Sequence, residues 1–172
     1  MSNVQYLFCL ETNPKSNTDW QYIKKTIDYL LADKESGCRF RALYMEGKNN
    51  YKSKPMIKSI KENSKKWKGD TEVVYCIDLD KYDINQNDYV FYNKLNDYCE
   101  RNGYKLVYFC RDIEEVYLGK RVESSKKAQF ASRFFKNGII DQNLISRLSK
   151  DTKNKKTSNL LLVLSEITDF SK

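Results

Sequence analysis

Four short apolar runs, each followed by a polar stretch with helical spacing, set the pattern of this chain. The first is Val4-Gln5-Tyr6-Leu7-Phe8-Cys9-Leu10, closed by Glu11. After the turn-rich Asn13-Pro14-Lys15-Ser16-Asn17, the stretch Thr18-Asp19-Trp20-Gln21 reads as a capping box opening a helix to about Ala32, with Trp20, Ile23, Ile27, Leu30 and Leu31 on its buried face. Arg39 to Met45 alternates as a second strand, and Asn49 to Ser53 forms a loop. Pro55 suits the first turn of a lysine-rich helix carrying Met56, Ile57, Ile60 and Trp67.

The run Val73-Val74-Tyr75-Cys76-Ile77 predicts a third, buried strand, which ends in Asp78-Leu79-Asp80. A polar loop to Asn87 precedes a helix from about Asp88 to Asn102 that buries Val90, Phe91, Leu95 and Tyr98 and stops at Gly103. Tyr104 to Cys110 is the fourth strand. Beyond it the spacing is helical only, near Ile113 to Leu118, Ser125 to Lys136, Gln142 to Leu148 and Asn159 to Thr168. Strands alternating with helices imply an α/β fold, a parallel four-stranded sheet flanked by helices with a helical C-terminal extension. Residues 1–120 form the α/β core in this reading, and residues 121–172 pack on it as the extension.

Ligands of open parallel sheets bind beyond the carboxyl ends of the strands. Glu11, Asp78 and Asp80 fall there, as does the group Asp112, Glu114 and Glu115 after the fourth strand. Side chains alternate along a strand, so Asp78 and Asp80 are expected on one face, where hard oxygens would hold a divalent cation.

Composition narrows the chemistry. The 172 residues are 40% hydrophobic and 31% charged, which suits one globular domain. No apolar segment approaches the roughly 20 residues of a membrane span, and the N-terminus lacks a signal-peptide pattern, so no membrane partner and a cytoplasmic location are expected. None of the five cysteines forms a Cys-x-x-Cys pair; Cys9, Cys76 and Cys110 sit in apolar runs and read as reduced core residues. The chain has no histidine, which removes the commonest general base and imidazole metal sites. Catalysis would then use carboxylates, lysines, tyrosines or metal-bound water. The net charge of +8, with lysines grouped over Lys48 to Lys68, Lys120 to Lys136 and Lys150 to Lys156, fits either a phosphate-binding surface or solvated helix faces.

The glutamate after the first strand and the Asp-x-Asp after a later one resemble the Toprim domain of topoisomerases, primases and certain nucleases. More narrowly, Phe8-Cys9-Leu10-Glu11, Thr18-Asp19-Trp20-Gln21-Tyr22, Cys76-Ile77-Asp78-Leu79-Asp80 and Ile113-Glu114-Glu115-Val116-Tyr117-Leu118 are similar to RloB-like proteins. Thr12 stands where the Toprim pattern usually has glycine, and Phe109-Cys110-Arg111 replaces the Ser-Asn-Pro before the second glutamate of RloB-like proteins.

The resemblance implies a Toprim-like, Rossmann-like core and Mg²⁺- or Mn²⁺-dependent chemistry on nucleic-acid phosphodiesters, DNA or RNA. Glu11, Asp78, Asp80 and Glu114 would be the catalytic and metal-binding residues, with Asp112 competing for the role of Glu114 and lysines such as Lys48, Lys52 and Lys120 facing the substrate backbone. A small nuclease in prokaryotic defence or a mobile element is the reading by family analogy. The rival is a non-catalytic binding module for nucleic acid or a partner protein. Its Leu160 to Leu164 segment either packs into the chain's own core or forms a homodimer interface. A third reading takes Asp78 and Asp80 as the pair of a haloacid-dehalogenase-like phosphatase, although Lys81 follows them and the pair sits on the third strand, not the first.

Overall fold

The computed structural model describes residues 3–32 and 37–167. Each apolar run becomes a strand: β1 (Val4–Leu10), β2 (Arg39–Tyr44), β3 (Asp70–Asp78) and β4 (Lys105–Phe109). They form one sheet in the order β2-β1-β3-β4, with every neighbouring pair parallel. Parallel neighbours need crossovers, and α1 (Thr18–Leu31), α2 (Lys54–Lys66) and α3 (Gln86–Asn102) supply them. The result is an α/β, Rossmann-like fold. It continues into α4 (Ile113–Leu118), α5 (Lys127–Asn137), α6 (Gln142–Leu148) and α7 (Leu160–Ile167).

Period-two alternation sorts the strand residues into two apolar layers. Tyr6, Phe8, Leu10, Val74, Cys76, Val107 and Phe109 face one side, where they meet α1 and the C-terminal helices. Leu7, Cys9, Val73, Tyr75, Ile77 and Tyr108 face the other, where they meet Met56 and Ile60 of α2 and Leu95 and Cys99 of α3. Burial on both faces explains why these strands read as continuous apolar runs. Phe134 of α5, Leu144 and Leu148 of α6, and Leu160, Val163 and Leu164 of α7 join the first layer. Each such side chain contributes roughly 1.5–3 kcal/mol on burial. Extension and sheet therefore share one core. Thr168, the expected last residue of the final helix, lies outside the described residues.

Several local expectations need correction. The capping box is not formed: the N-cap of α1 is Asn17 in a left-handed conformation without a side-chain cap bond, and the Thr18 hydroxyl instead lies 3.4 Å from an Asp19 carboxylate oxygen. Val90 is exposed, because α3 turns that position away from the sheet. Trp67 follows α2 as its C-cap in an extended conformation, and its indole N–H donates to the Asn3 carbonyl at 3.2 Å. All five cysteines are unpaired thiols, four of them buried. No helix among the described residues is long and apolar enough to cross a membrane.

The outer edge of β4 is covered by a side chain acting as a strand. Asn159 accepts from the Tyr108 N–H and donates to the Leu106 carbonyl, each at 3.0 Å, and Phe109 bridges Ser158. The outer strand β2 carries exposed Arg39 and Arg41, charges that discourage edge pairing.

The connections leave β1 and β3 on opposite faces of the sheet, β1 through α1 and β3 through α3. Adjacent strands with diverging connections open a crevice at their carboxyl ends. Glu11 and Asp78 flank it.

Candidate active site at the carboxyl edge of the sheet

The pairing Leu10↔Cys76 sets Glu11 beside the end of β3. Glu11 Oε1 accepts the Asp78 backbone N–H at 2.8 Å, and Asp78 Oδ1 accepts the Ile113 N–H at 2.9 Å. One carboxylate thus ties β1 to β3, and the next ties β3 to the first residue of α4. Backbone bonds extend the lattice beyond the strands: Gly47 N–H to Glu11 O and Asp80 N–H to Arg111 O are each 2.9 Å. Glu46, Asp80 and Arg111, each two residues past a strand, have φ of 54°, 49° and 66°. Left-handed backbone at three non-glycine positions of one edge is costly and is held by this lattice. Gly47, at φ 121°, occupies a conformation that a side chain would strain.

The left-handed turn at Asp80 also breaks the alternation expected of Asp78 and Asp80. Asp78 is surrounded by Asp19 of α1, Glu11, and Glu114 and Asp112 of the α4 region. Asp80 instead meets Lys48, whose Nζ lies 2.5 Å from Asp80 Oδ2 and 3.1 Å from Asp88 Oδ1, over the Phe91 ring. Glu114 is 1% exposed, and its Oε2 is 2.8 Å from Lys127 Nζ, which also reaches Asp112 at 3.3 Å. Asp112 caps α4, accepting from the Glu115 N–H at 2.8 Å. The structure therefore brings Glu11, Asp78 and Glu114 to one side of the crevice and turns Asp80 to the other, although Asp80 still acts electrostatically on Glu11. Of the lysines considered for the substrate, only Lys48 reaches this edge; Lys52 sits over Tyr51, and Lys120 over Phe130 beside a separate groove.

Three functional candidates were not legible in the sequence. Asp19 stood out only within a cap pattern and a family-like segment, with no role assigned, yet it is buried among the acids. Lys127 lies far along the chain in a helix that reads as surface. Tyr22 is fully buried, its hydroxyl has no hydrogen-bond partner among the described residues, and Glu114, Asp112 and Asp19 all act on it. The motif segment Thr18 to Tyr22 was the available signal for Asp19 and Tyr22.

Crowded, desolvated carboxylates hold their protons. Burial pushes Glu11 up to about 8, offset in part by the Asp78 N–H and reinforced by Asp19 and Asp80. Burial and then Glu114 push Asp19 up to about 7. Burial, followed by Asp19, Glu11 and Glu114, holds Asp78 well above the ordinary carboxylate range. Burial opposes charge on Lys127, but Glu114 and Asp112 outweigh it and raise its pKa.

The donor set is hard oxygen throughout, the chemistry that Mg²⁺ or Mn²⁺ takes, and extra positive charge would relieve the crowding. It is not assembled as a closed cage: among the described residues no group of three or more Cys, Asp or Glu side chains is arranged to hold a metal ion. Next to these acids opens a cleft of about 400 Å³ lined by Asp80, Asp88, Asp112 and Glu115 together with Lys81, Arg111 and Arg121. No protein-family model, curated protein or solved structure matches the chain.

Proposed function

We propose that this edge processes nucleic-acid phosphodiesters with Mg²⁺ or Mn²⁺, as the Toprim-like resemblance implies, and that the protein is a small nuclease. The observation that supports it is Asp78, held at the switch point of the sheet among four further carboxylates, one of which, Asp112, lines a cleft that also carries arginines. Asp78 would hold the ion largely through water, with Glu114 and Asp19 behind it, and Asp80, across the crevice, would reach it only through water. A bound ion would supply charge stabilisation on phosphate oxygens and a more acidic water.

The chain's own groups have separate tasks. Arg111 and Arg121 bind the phosphate from the cleft wall. Glu11, with a pKa near 8, is poised to take up and return a proton close to neutral pH. Lys127 holds Glu114 in place, and the hydrogen bonds of Glu11 and Asp78 fix their carboxyls. Unpaired buried thiols suit a reducing compartment such as the cytoplasm.

One observation favours the rival, a non-catalytic nucleic-acid or protein-binding module. Lys48 and Lys127 already act as internal counter-ions to the acids. Thermal unfolding separates the two readings. Mg²⁺ or Mn²⁺ is expected to raise the melting temperature, with a gain of about 2.7 kcal/mol at a hundred times Kd, and Asp78→Asn is expected to abolish the gain. Cleavage of labelled DNA or RNA in Mn²⁺, lost in the same variant, would complete the case. A wild-type protein indifferent to both ions is the module.

A further inference from the structure

Beside the acidic edge lies a second arrangement, built from tyrosines and from the loop between α6 and α7. Lys153 Nζ stands 4.8 Å from the ring centroid of Tyr92, 5.1 Å from Tyr108 and 5.9 Å from Tyr82. Tyr82 in turn packs against Tyr89, with ring centroids 5.3 Å apart, and Tyr89 is 43% exposed. The loop that presents Lys153 is held firmly. The Cys110 N–H donates to the Thr157 carbonyl at 2.9 Å, the Thr157 hydroxyl donates to Asn154 O at 2.6 Å, and the Tyr108 hydroxyl donates to Lys150 O at 3.2 Å.

Lys153 and Lys155 join Arg111 around a small cleft that begins at Asp80 and Leu79. Among the described residues none of these three cations forms an ion pair with a carboxylate, and the Arg111 Nε is buried without a hydrogen-bond partner. Two acids share the cleft: Asp80, which is paired with Lys48, and Asp83. Among the described residues these three cations face one acid outside an ion pair, Asp83, and Arg111 holds a buried donor without an acceptor, so the cleft carries surplus positive charge that suits an anion. The same cleft is bordered by Tyr82, whose ring continues to that of the exposed Tyr89. Arg111 and Asp80 also line the wider cleft of the acidic edge, so the two clefts adjoin.

Phosphate cations beside an exposed aromatic face are what an unpaired nucleotide needs: the phosphate meets the cations and the base stacks on the ring. A duplex keeps its bases stacked inside and presents only backbone to such a surface. We infer that Arg111, Lys153 and Lys155 with Tyr82 and Tyr89 form a binding site for single-stranded nucleic acid that leads the strand to the acidic edge. This inference rests on the reading of that edge as a phosphodiester site and names the form of its substrate.

The test is fluorescence anisotropy in chelator with labelled oligothymidylate, oligouridylate and a duplex of equal length, over a salt series. Single strands bind more tightly than duplex. Tyr89→Ala weakens single-strand binding about tenfold, Tyr89→Phe restores it, and duplex binding is unchanged by either. Lys155→Ala lowers the salt slope by about 0.7, the value for one single-strand phosphate contact. Equal or tighter duplex binding, or a Tyr89→Ala loss common to both forms, overturns the inference. The nuclease reading is judged separately, by Mn²⁺-dependent cleavage and its loss in Asp78→Asn. Single-strand preference without cleavage keeps this site and removes the nuclease; cleavage without the preference does the reverse.

Discussion

Replacing Asp19 by Asn should stabilise the metal-free protein, in contrast to most changes at buried positions. Asp19 is 9% exposed, and burial, with Glu114 beside it, raises its pKa from 3.8 to about 7. A folded-state pKa above the unfolded value means that the folded protein binds more protons between about pH 4 and pH 7. Its stability therefore falls as pH rises through that window and levels off above it. A shift of about 3 units corresponds to roughly 4 kcal/mol at 1.36 kcal/mol per unit. The acids are coupled, and Lys127 lies close by, so about half of that should be recovered when Asn removes the charge and keeps the shape. For a chain of this size about 2 kcal/mol is a rise of about 4–8 °C in melting temperature. The assay is differential scanning fluorimetry of both proteins in chelator at about pH 4 and about pH 8, because the difference between variant and parent cancels the other titrating groups. The gain should appear at the higher pH, shrink toward zero at the lower, and narrow when Mg²⁺ is added. A variant equally destabilised at both pH values would refute the electrostatic account of the cluster.

Three further outcomes follow from single contacts. Lys127→Met keeps the aliphatic stem but leaves Glu114, 1% exposed, without its counter-ion; urea unfolding should show a loss of about 3 kcal/mol, and an unchanged midpoint would remove Lys127 from its structural role. Tyr22→Phe deletes a buried hydroxyl that has no partner among the described residues, so calorimetry should find stability unchanged or raised by up to about 1 kcal/mol, where a loss above that would mean that the hydroxyl is bonded in solution. Asn159→Ala removes both hydrogen bonds that cover the edge of β4. A loss of about 1–2 kcal/mol and faster hydrogen exchange at the Tyr108 amide are expected, and unaltered exchange there would contradict the edge-covering role.

Much of the fold was legible because its signals are local. Strands buried on both faces read as apolar runs, and Pro55 and Gly103 stand at the start of α2 and the end of α3 as their backbone chemistry requires. Where local rules failed, a tertiary contact outweighed them. Thr18 lost its expected capping role because Asn17 takes a left-handed turn that sends Asp19 into the acid cluster. Asp78 and Asp80 lost their common face because Asp80 also turns left-handed, and its N–H is held by the Arg111 carbonyl.

The linear order of residues determined the parallel α/β architecture and the presence of Glu11, Asp78 and Asp80 at strand ends, since periodicity and strand termini are properties of neighbours along the chain. Only the tertiary structure decided which acids meet. Glu11 reaches the Asp78 backbone across 67 residues, and Lys127 reaches Glu114 from a different helix. Burial, not sequence spacing, then set their charge, because a carboxylate's proton affinity depends on the water and charges around it in space. The Tyr82, Tyr89 and Lys153 grouping likewise exists only because the loop after α6 returns to the end of β4.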